Sequence, residues 1–268
     1  MLGTRLLAAA VGLAIILPAV LFGGGWEVFW IAVPFVVLGL DEYVRMVNPS
    51  VRTPEWLLLL LVGFVLYAVA GRWPSALPVA LPVAFVVVLL LPMFGQDDAG
   101  RGAELATRYG FGLVYVPVAM APLGRIRAEE DGLALMFLLF ASTWLGDTGA
   151  YFVGRSFGRT PFFPRISPSK TVEGFLGGVA LAVVGGAVVH VVGRPDLPIF
   201  ATLFLAFILD LAGVAGDLAE SMLKRAFGVK DSGWIMPGHG GILDRIDSLL
   251  FTAPVLWAVV ELRSLFMG

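Results

Sequence analysis

The chain has 268 residues, of which 59% are hydrophobic and 14% are charged, and its formal net charge is −2 at pH 7. This balance excludes a nucleic-acid-binding protein, which needs a basic surface, and the absence of cysteine excludes disulfides, thiolate metal sites and cysteine nucleophiles. The mean hydropathy of +0.91 and repeated apolar runs, each of about the length that crosses a bilayer core, predict a polytopic membrane protein.

Nine apolar segments are predicted to span the membrane, which makes the fold class an all-α transmembrane helical bundle. A β-barrel is disfavoured because these runs are continuously apolar, whereas barrel strands alternate between apolar and polar residues. We expect the first segment to be a retained helix, since no small-residue cleavage pattern follows Phe22. The predicted spans cover about residues 5–22, 26–40, 56–70, 75–94, 110–126, 133–153, 172–192, 199–222 and 248–266.

The distribution of polar residues predicts two parts. Residues 1–130 would form lipid-facing helices, and residues 131–268 would carry the functional groups. In the nine-helix arrangement thirteen Lys and Arg residues lie on the side of the N-terminus and five on the other side, which accounts for all 18. The positive-inside rule then places the richer side, with most of the polar residues, in the cytoplasm.

The sixth predicted helix ends in W-L-G-D-T-G-A-Y, which places Asp147 in an apolar run. A charge there is costly unless it faces a protein interior or a wet cavity. The following loop reads I-S-P-S-K-T-V-E-G, and its Ser167, Lys170 and Thr171 are placed to bind phosphate oxygens at a helix N-terminus. Alternatively, a Ser or Thr together with Glu173 forms an ordinary helix start.

The eighth predicted helix, ATLFLAFILDLAGVAGDLAESMLKR, carries the sharpest pattern. Oxygen ligands on one helix face suit Mg²⁺, which proteins hold with one or two carboxylates plus substrate phosphates. Alternatively, Asp217 and Glu220 simply pair with Lys224 and Arg225 near the helix end. At 100° per residue, one narrow face contains Asp210, Asp217, Ser221 and Lys224, with Glu220 beside it.

A charged segment with a Gly-rich turn follows this helix. Glycines in P-G-H-G-G let the backbone approach a phosphate closely, and His239 among basic residues is a candidate phosphate contact, although a lone histidine is more often a structural turn residue. The sequence L-D-R-I-D then places Asp244 and Asp247 one helical turn apart at the start of the ninth predicted helix. For Asp244 the alternative is a capping charge.

Together these elements resemble the phosphatidate cytidylyltransferases, also called CDP-diacylglycerol synthases. That family carries S-x-x-K-R, four residues, K-D, a short spacer, P-x-H-G-G and D-R-x-D, and every spacing is kept here. D-T-G-A-Y-x-x-G and S-P-x-K-T elements also look like the family, so the resemblance covers about residues 142–252; Met236 departs from the Ile or Leu expected there. The matching positions are Ser221, Lys224, Arg225, Lys230, Asp231, Pro237, His239, Gly240, Gly241, Asp244, Arg245 and Asp247.

The resemblance implies an integral-membrane nucleotidyltransferase of phospholipid biosynthesis that converts CTP and phosphatidate to CDP-diacylglycerol and pyrophosphate. The lipid phosphate would attack the α-phosphorus of CTP in line, without a protein nucleophile. The implied cofactor is Mg²⁺, with a second cation such as K⁺, and the implied metal ligands are Asp217, Ser221 and Asp244. The implied partners are CTP, phosphatidate and the membrane, and a homodimer through the apolar N-terminal half is an option because similar proteins form one.

The resemblance also implies roles for individual side chains in a bacterial-type inner membrane, with the site facing the cytoplasm. His239, Gly240 and Gly241 would shape the nucleotide pocket. The implied catalytic residues are Asp217, Lys224, Arg225, Asp244 and Lys170. The implied substrate-binding residues are Asp147, Ser167, Lys170, Thr171, Lys224, Arg225, Lys230, Asp231, His239, Gly240, Gly241, Arg245 and Asp247.

The alternative function is a polytopic transporter with a charged midplane site, which would also bury Asp147, Asp210 and Asp217. Many transporters are built from inverted repeats, whereas the polar residues here lie in the second half only. A CDP-alcohol phosphotransferase is disfavoured as well, because its D-G-x-x-A-R pattern is absent from the sequence.

Overall fold

The computed structural model describes residues 14, 16–94, 98–193, 195–233 and 240–267. Apart from one short hairpin its described secondary structure is helical, so the predicted all-α class is confirmed in its main feature. In chain order the elements are α1 (Gly25–Val47), α2 (Thr53–Arg72), α3 (Leu77–Met93), α4 (Ala99–Leu113), α5 (Pro122–Ala128), α6 (Gly132–Phe157), β1 (Pro161–Phe163), β2 (Ser167–Thr171), α7 (Val172–Gly193), α8 (Ile199–Ala226), α9 (Leu243–Ile246) and α10 (Leu249–Met267).

Contacts within the chain divide it into two compact units. The first unit comprises Met1–Arg125 with Phe227–Ile246, and the second comprises Ile126–Ala226 with Asp247–Gly268. The sequence-based division at residue 130 falls beside the first of these boundaries. The segment that contains K-D and H-G-G, however, groups with the N-terminal helices rather than with the rest of the C-terminal half.

Local sequence explains where several helices begin and break. Pro54 lies in the first turn of α2, where its missing N–H costs no hydrogen bond. Asp98 caps α4, since its carboxylate accepts the backbone N–H of Arg101 at 2.6 Å. Pro117 interrupts the hydrogen-bond ladder beyond α4, which widens into a π turn. The prediction of one regular helix over 110–126 is therefore wrong, because the helical run begins earlier and breaks within that range.

Long apolar helices support a multi-pass membrane protein. The predicted number of nine spans is not confirmed, and only residues 14 and 16–22 of the first predicted span are described. Helix α1 is not among the helices apolar enough to cross a membrane, because Asp41, Glu42 and Arg45 interrupt its apolar sequence. Within the described chain, the five segments that are long and apolar enough to cross a membrane are Thr53–Arg72, Pro74–Met93, Gly132–Phe157, Val172–Gly193 and Ile199–Ala226.

In the second unit, α6 and α7 pack through glycines that let the two backbones approach closely. A Cβ built on Gly149 would lie 2.5 Å from the carbonyl oxygen of Gly177 and 2.9 Å from Leu181 Cβ. At the start of α6, Arg263 of α10 donates to both carboxylate oxygens of Asp131, at 2.7 and 3.0 Å. Burial alone would raise the pKa of Asp131, but the Arg263 guanidinium holds it below its ordinary value.

A two-stranded antiparallel hairpin connects α6 to α7. Pro161 lies opposite Thr171, and Phe163 lies opposite Ser167. The sequence analysis placed residues 167–171 in a loop ahead of a helix, and that expectation is wrong, because the segment is strand β2. Helix α7 begins directly after it.

The glycine packing of α6 against α7 gives a stability prediction. We expect Gly149→Ala to destabilise the protein by about 1–3 kcal/mol, because the added Cβ meets a backbone carbonyl that has no room to move. Thermal unfolding in detergent measures this. The matched control is Gly110→Ala in α4, where the nearest atom to a new Cβ is Val88 Cγ1 at 3.9 Å. Equal unfolding temperatures for the two variants would contradict the packing argument.

Candidate active site

Two residues predicted from separate sequence elements meet in the second unit. Lys170 of β2 forms an ion pair with Asp217 of α8, and the two side chains are 26% and 32% exposed, respectively. One turn further along α8, the hydroxyl of Ser221 donates to Asp217 Oδ1 at 3.4 Å. A cation and two oxygen donors therefore share one place, open enough to admit a ligand.

The length of α8 indicates how deep Asp217 and Ser221 lie in the membrane. Helix α8 has 28 residues, which at about 1.5 Å per residue gives about 42 Å, longer than a bilayer core of about 30 Å. Its last turns therefore extend beyond the apolar core when its first turn lies at the opposite boundary. At that rise Asp217 lies about 27 Å and Ser221 about 33 Å from Ile199, so these two residues lie at the boundary of the apolar core.

Lys170 lies in a hairpin whose two ends are fixed by hydrogen bonds. Glu173 accepts the backbone N–H groups of Arg159 and Thr160, at 3.0 and 3.1 Å, and the Thr160 hydroxyl at 2.8 Å. Thr171 caps α7, since its Oγ1 accepts the N–H of Gly174 at 3.1 Å. Thr171 thus performs the ordinary helix-start role that was the alternative to phosphate binding, whereas Glu173 ties the two ends of the hairpin together.

Three further carboxylates surround this place within the second unit. Asp147 interacts electrostatically with Asp217 and Lys170, and Asp210 with Asp147 and Lys170. Asp247 lies near Asp217, and burial, followed by that neighbouring carboxylate, raises the pKa of Asp247 to about 7. Lys170 is a common counter-charge for Asp147, Asp210 and Asp217. For Asp247 the neighbouring cation is Lys224.

Asp147 and Asp210 differ in how they are accommodated. Asp147 is exposed in α6, so of the two environments expected for it, a protein interior or a wet cavity, it does not occupy the first. Asp210 is only 3% exposed, and among the residues that the structure describes its Oδ2 has no hydrogen-bond partner. A Cβ built on Gly146 would overlap Asp210 Oδ1, so this glycine is what lets α6 pass over the carboxylate.

Near the end of α8 a second ion pair is buried. Lys224 Nζ lies 2.6 Å from Glu220 Oε2, and the side chains are 11% and 1% exposed. For these two residues the pairing at i,i+4 that the sequence offered as the plainer interpretation is observed. The predicted phosphate contact of Lys224 stays a prediction beside this structural role.

Asp244 organises a turn in the first unit. Its Oδ2 accepts the Ser232 N–H at 3.0 Å, the Ser232 hydroxyl at 2.9 Å and the Gly241 N–H at 2.7 Å. Gly240 has a φ of +77°, and a Cβ there would lie 2.5 Å from Asp244 Oδ2, so both its backbone and its surroundings require glycine. Asp244 thus stabilises the turn ahead of α9, and its metal role stays a prediction.

Asp244 and Asp247 do not begin one long helix, which corrects the sequence analysis. Asp244 lies in the one-turn helix α9, and the long helix α10 begins at residue 249. Asp247 lies between them, where its Oδ1 accepts the N–H of Ser248 at 2.7 Å.

Glu42 was not among the residues predicted from the sequence. This carboxylate belongs to α1 and is 4% exposed, yet it accepts the N–H groups of Ile242 and Leu243, at 3.0 and 2.8 Å, and the hydroxyl of Ser232 at 3.1 Å. The signal was present in F-V-V-L-G-L-D-E-Y-V, where two acidic residues interrupt an apolar run. The predicted helix ended at residue 40, so the acidic pair fell outside it.

The remaining predicted residues are distributed as follows. Asp217 and Ser221 belong to the second unit and Asp244 to the first, so the three-residue metal set stays a prediction. The residues that the structure describes contain no group of three or more His, Cys, Asp or Glu side chains placed to hold a metal. His239 and Pro237 lie outside the described residues. Exposed side chains are those of Arg225, Lys230, Asp231 and Arg245.

Fold and site together define a helical integral-membrane protein with a charged, oxygen-rich site at the end of a spanning helix. The family described as "Cytidylyltransferase family" matches residues 3–263. The chain belongs to this family and is therefore a nucleotidyltransferase, as the sequence predicted, rather than the alternative transporter.

Several similar proteins are named phosphatidate cytidylyltransferase. The relative from Staphylococcus haemolyticus (strain JCSC1435) is 35% identical over 260 residues, covering 94% of this chain and 96% of the relative. The relative from Bacillus subtilis (strain 168) is 37% identical over 212 residues, covering 78% and 76%. The relative from Staphylococcus aureus (strain COL) is 33% identical over 262 residues, covering 94% and 96%.

The buried pair in α8 gives a prediction that separates structural from functional roles. Lys224→Met removes the ammonium beside the buried Glu220 carboxylate, so we expect a loss of about 3 kcal/mol in stability, measured by thermal unfolding. The double variant Glu220→Gln with Lys224→Met should recover most of it, because it removes the Glu220 carboxylate that the single variant leaves without its cation. If Lys224 also holds phosphate, the double variant will recover stability but not activity, so its turnover of CTP will remain slow. A single variant as stable as the unmodified protein would show that the pair does not support the fold.

Proposed function

We propose that this protein transfers the cytidylyl group of CTP to phosphatidate, releasing pyrophosphate and CDP-diacylglycerol. The names of relatives that match most of the chain support the substrates. The observation that carries the proposal is the Lys170–Asp217 pair, which joins a phosphate-binding cation to a carboxylate at the end of a spanning helix. A lipid phosphate and a water-soluble nucleotide meet most readily at such a level.

The proposed topology places this site at the cytoplasmic face of a bacterial inner membrane. The excess of Lys and Arg on that side of the nine-helix arrangement supports the orientation. The exposed basic residues Arg225, in the last turn of α8, and Lys230, after it, lie on the same side of that arrangement. They would attract CTP, which is anionic and dissolved in the cytoplasm.

The donors in the second unit fit Mg²⁺ in their chemistry. Asp217 and Ser221 supply oxygen atoms on adjoining turns, and the Lys170 ammonium already occupies a cationic position against Asp217 Oδ2. Hard oxygen ligands of this type, with few from the protein, suit Mg²⁺ together with substrate phosphates. Asp217 and Ser221 would hold the ion, with Asp244 as the third ligand given by the sequence motif. A second cation such as K⁺ belongs to the same proposal.

The proposed reaction needs positioning more than proton transfer. An oxygen of the phosphatidate phosphate forms a bond to the α-phosphorus of CTP, and the bond from that phosphorus to the α,β-bridging oxygen breaks. The bridging oxygen leaves with the electron pair as part of pyrophosphate. The attacking phosphate is already ionised, so no general base is required.

The side chains of this chain would lower the repulsion between the two anions. Lys170 is free to turn from Asp217 towards a phosphate once another cation neutralises the carboxylate. Bound Mg²⁺ would supply charge neutralisation on the leaving pyrophosphate. Arg225, Lys230 and Arg245 are the further proposed phosphate contacts.

The direct test of the proposed function is transfer of label from CTP to lipid. Purified protein is incubated with CTP labelled in the cytosine ring, Mg²⁺ and phosphatidic acid, and the lipids are extracted. We expect label in the organic phase and one pyrophosphate for each labelled lipid. Label that stays in the aqueous phase would reject the proposed substrates.

A substitution at Asp217 tests the site itself. We expect Asp217→Asn to lower kcat at least about 1000-fold, because the isosteric amide can neither bind a cation strongly nor pair with Lys170. Asp98→Asn is the matched control, since it alters an exposed carboxylate that only caps α4. Near-normal turnover by folded Asp217→Asn would remove this residue from the site.

Chelation tests the proposed cofactor. Excess EDTA should stop product formation by the unmodified protein, and added Mg²⁺ should restore it, since the oxygen donors bind the ion reversibly. Initial rates of lipid labelling report this. Transfer that continues in excess chelator would contradict a metal requirement.

A further inference from the structure

We propose that Glu42 is a positioning residue for catalysis, which holds the two stretches that flank residues 234–239 in the arrangement that presents Asp244. These stretches, residues 232–233 and 240–244, are called the motif flanks. The catalytic part of this inference rests on the proposed function, because it assigns importance to Asp244. Its structural part, that Glu42 fixes the motif flanks, stands on the contacts alone.

The Glu42 carboxylate binds both motif flanks at once. Its Oε1 accepts the N–H of Ile242 at 3.0 Å, and its Oε2 accepts the N–H of Leu243 at 2.8 Å. The hydroxyl of Ser232, from the other flank, lies 3.1 Å from Oε2. Glu42 is separated from these residues by about two hundred positions in sequence, so the contacts are a product of the fold.

Ser232 joins Glu42 to Asp244. Its hydroxyl carries one hydrogen, which it donates either to Glu42 Oε2 at 3.1 Å or to Asp244 Oδ2 at 2.9 Å. The same oxygen accepts the N–H of Asp244 at 3.3 Å. Any shift of Glu42 therefore reaches the Asp244 carboxylate through one intervening side chain.

Two glycines fit closely around the Glu42 carboxylate. A Cβ on Gly233 would lie 2.5 Å from Glu42 Cδ and 2.9 Å from its Cγ. A Cβ on Gly241 would lie 2.6 Å from Glu42 Cδ. Gly241, which the sequence analysis assigned to close approach of a phosphate, thus has a structural reason to be glycine.

The chemistry requires a carboxylate rather than another polar group. One backbone N–H donates to each Glu42 oxygen, and the Ser232 hydroxyl can donate to Oε2 as well. A carboxylate offers acceptor sites on both oxygens without a hydrogen of its own. A glutamine in its place would turn an NH₂ group towards a backbone N–H, donor against donor. A buried N–H that loses its acceptor is costly, so the flank would move.

The first measurement is hydrogen exchange of the amides at Ile242 and Leu243 in the full-length protein. In Glu42→Gln we expect exchange there to accelerate at least about tenfold, because these amides lose a buried acceptor. Asp98→Asn is the matched control, since that carboxylate also accepts a backbone N–H at a helix start in the same unit. Unchanged exchange in Glu42→Gln overturns the proposal.

The second measurement separates positioning from simple loss of stability. We expect Glu42→Gln, at equal amounts of folded protein, to lower kcat about tenfold or more while the KM for CTP changes less than about threefold. Unchanged kcat with accelerated exchange overturns the catalytic part of the proposal. If the unmodified protein transfers no label to lipid, the proposed function fails, and the exchange experiment still decides whether Glu42 holds the flanks.

A double-mutant cycle provides a readout that does not depend on a fragile single variant. Gly233→Ala should destabilise the unmodified protein, because the new Cβ meets Glu42. In a Glu42→Ala background the same change should have a much smaller effect, since the colliding atoms are gone. Strict additivity of the two effects on the unfolding temperature would overturn the contact.

Discussion

Charged groups beside apolar helices need compensation, and this requirement shapes both units of the protein. An ionised carboxylate removed from water is stable only when cations or hydrogen-bond donors replace its hydration. In the second unit the compensation for Asp217 is the Lys170 ammonium, and for Glu220 it is Lys224. In the first unit Glu42 is compensated by two backbone N–H groups and a hydroxyl. A side chain in an ion pair can exchange its partner for a bound ion, whereas hydrogen bonds from backbone N–H groups hold parts of the chain together.

This difference divides the acidic residues by task. The Lys170–Asp217 pair is partly exposed, so a phosphate or a metal ion has access to both partners. Glu42 is buried and fully engaged with chain atoms, which suits a residue that positions others. Asp244 stabilises a turn and is also the first carboxylate of the D-R-x-D motif. It therefore has a structural role as well as a proposed chemical one. A variant of Asp244 therefore changes local structure as well as chemistry.

The family match covers the N-terminal half as well as the half that carries the motif residues. The match extends over residues 3–263, although the polar motif residues lie in the second half. Glu42 offers a physical reason for this extent, because this residue of the N-terminal half accepts the N–H groups of Ile242 and Leu243, directly before Asp244. The apolar N-terminal half is thus more than a membrane anchor.

The sequence by itself determined the membrane class, most helix positions and the chemistry of the motif, because hydropathy and spacing are local properties. Helices α2, α6, α7 and α8 lie within a few residues of their predicted bounds. Tertiary structure decided which charges meet: Lys170 reaches Asp217 from a hairpin strand where the sequence had indicated a loop. It also decided the role of Glu42, whose donors lie about two hundred residues away. Contacts of that separation depend on how the helices pack, and no local pattern encodes them.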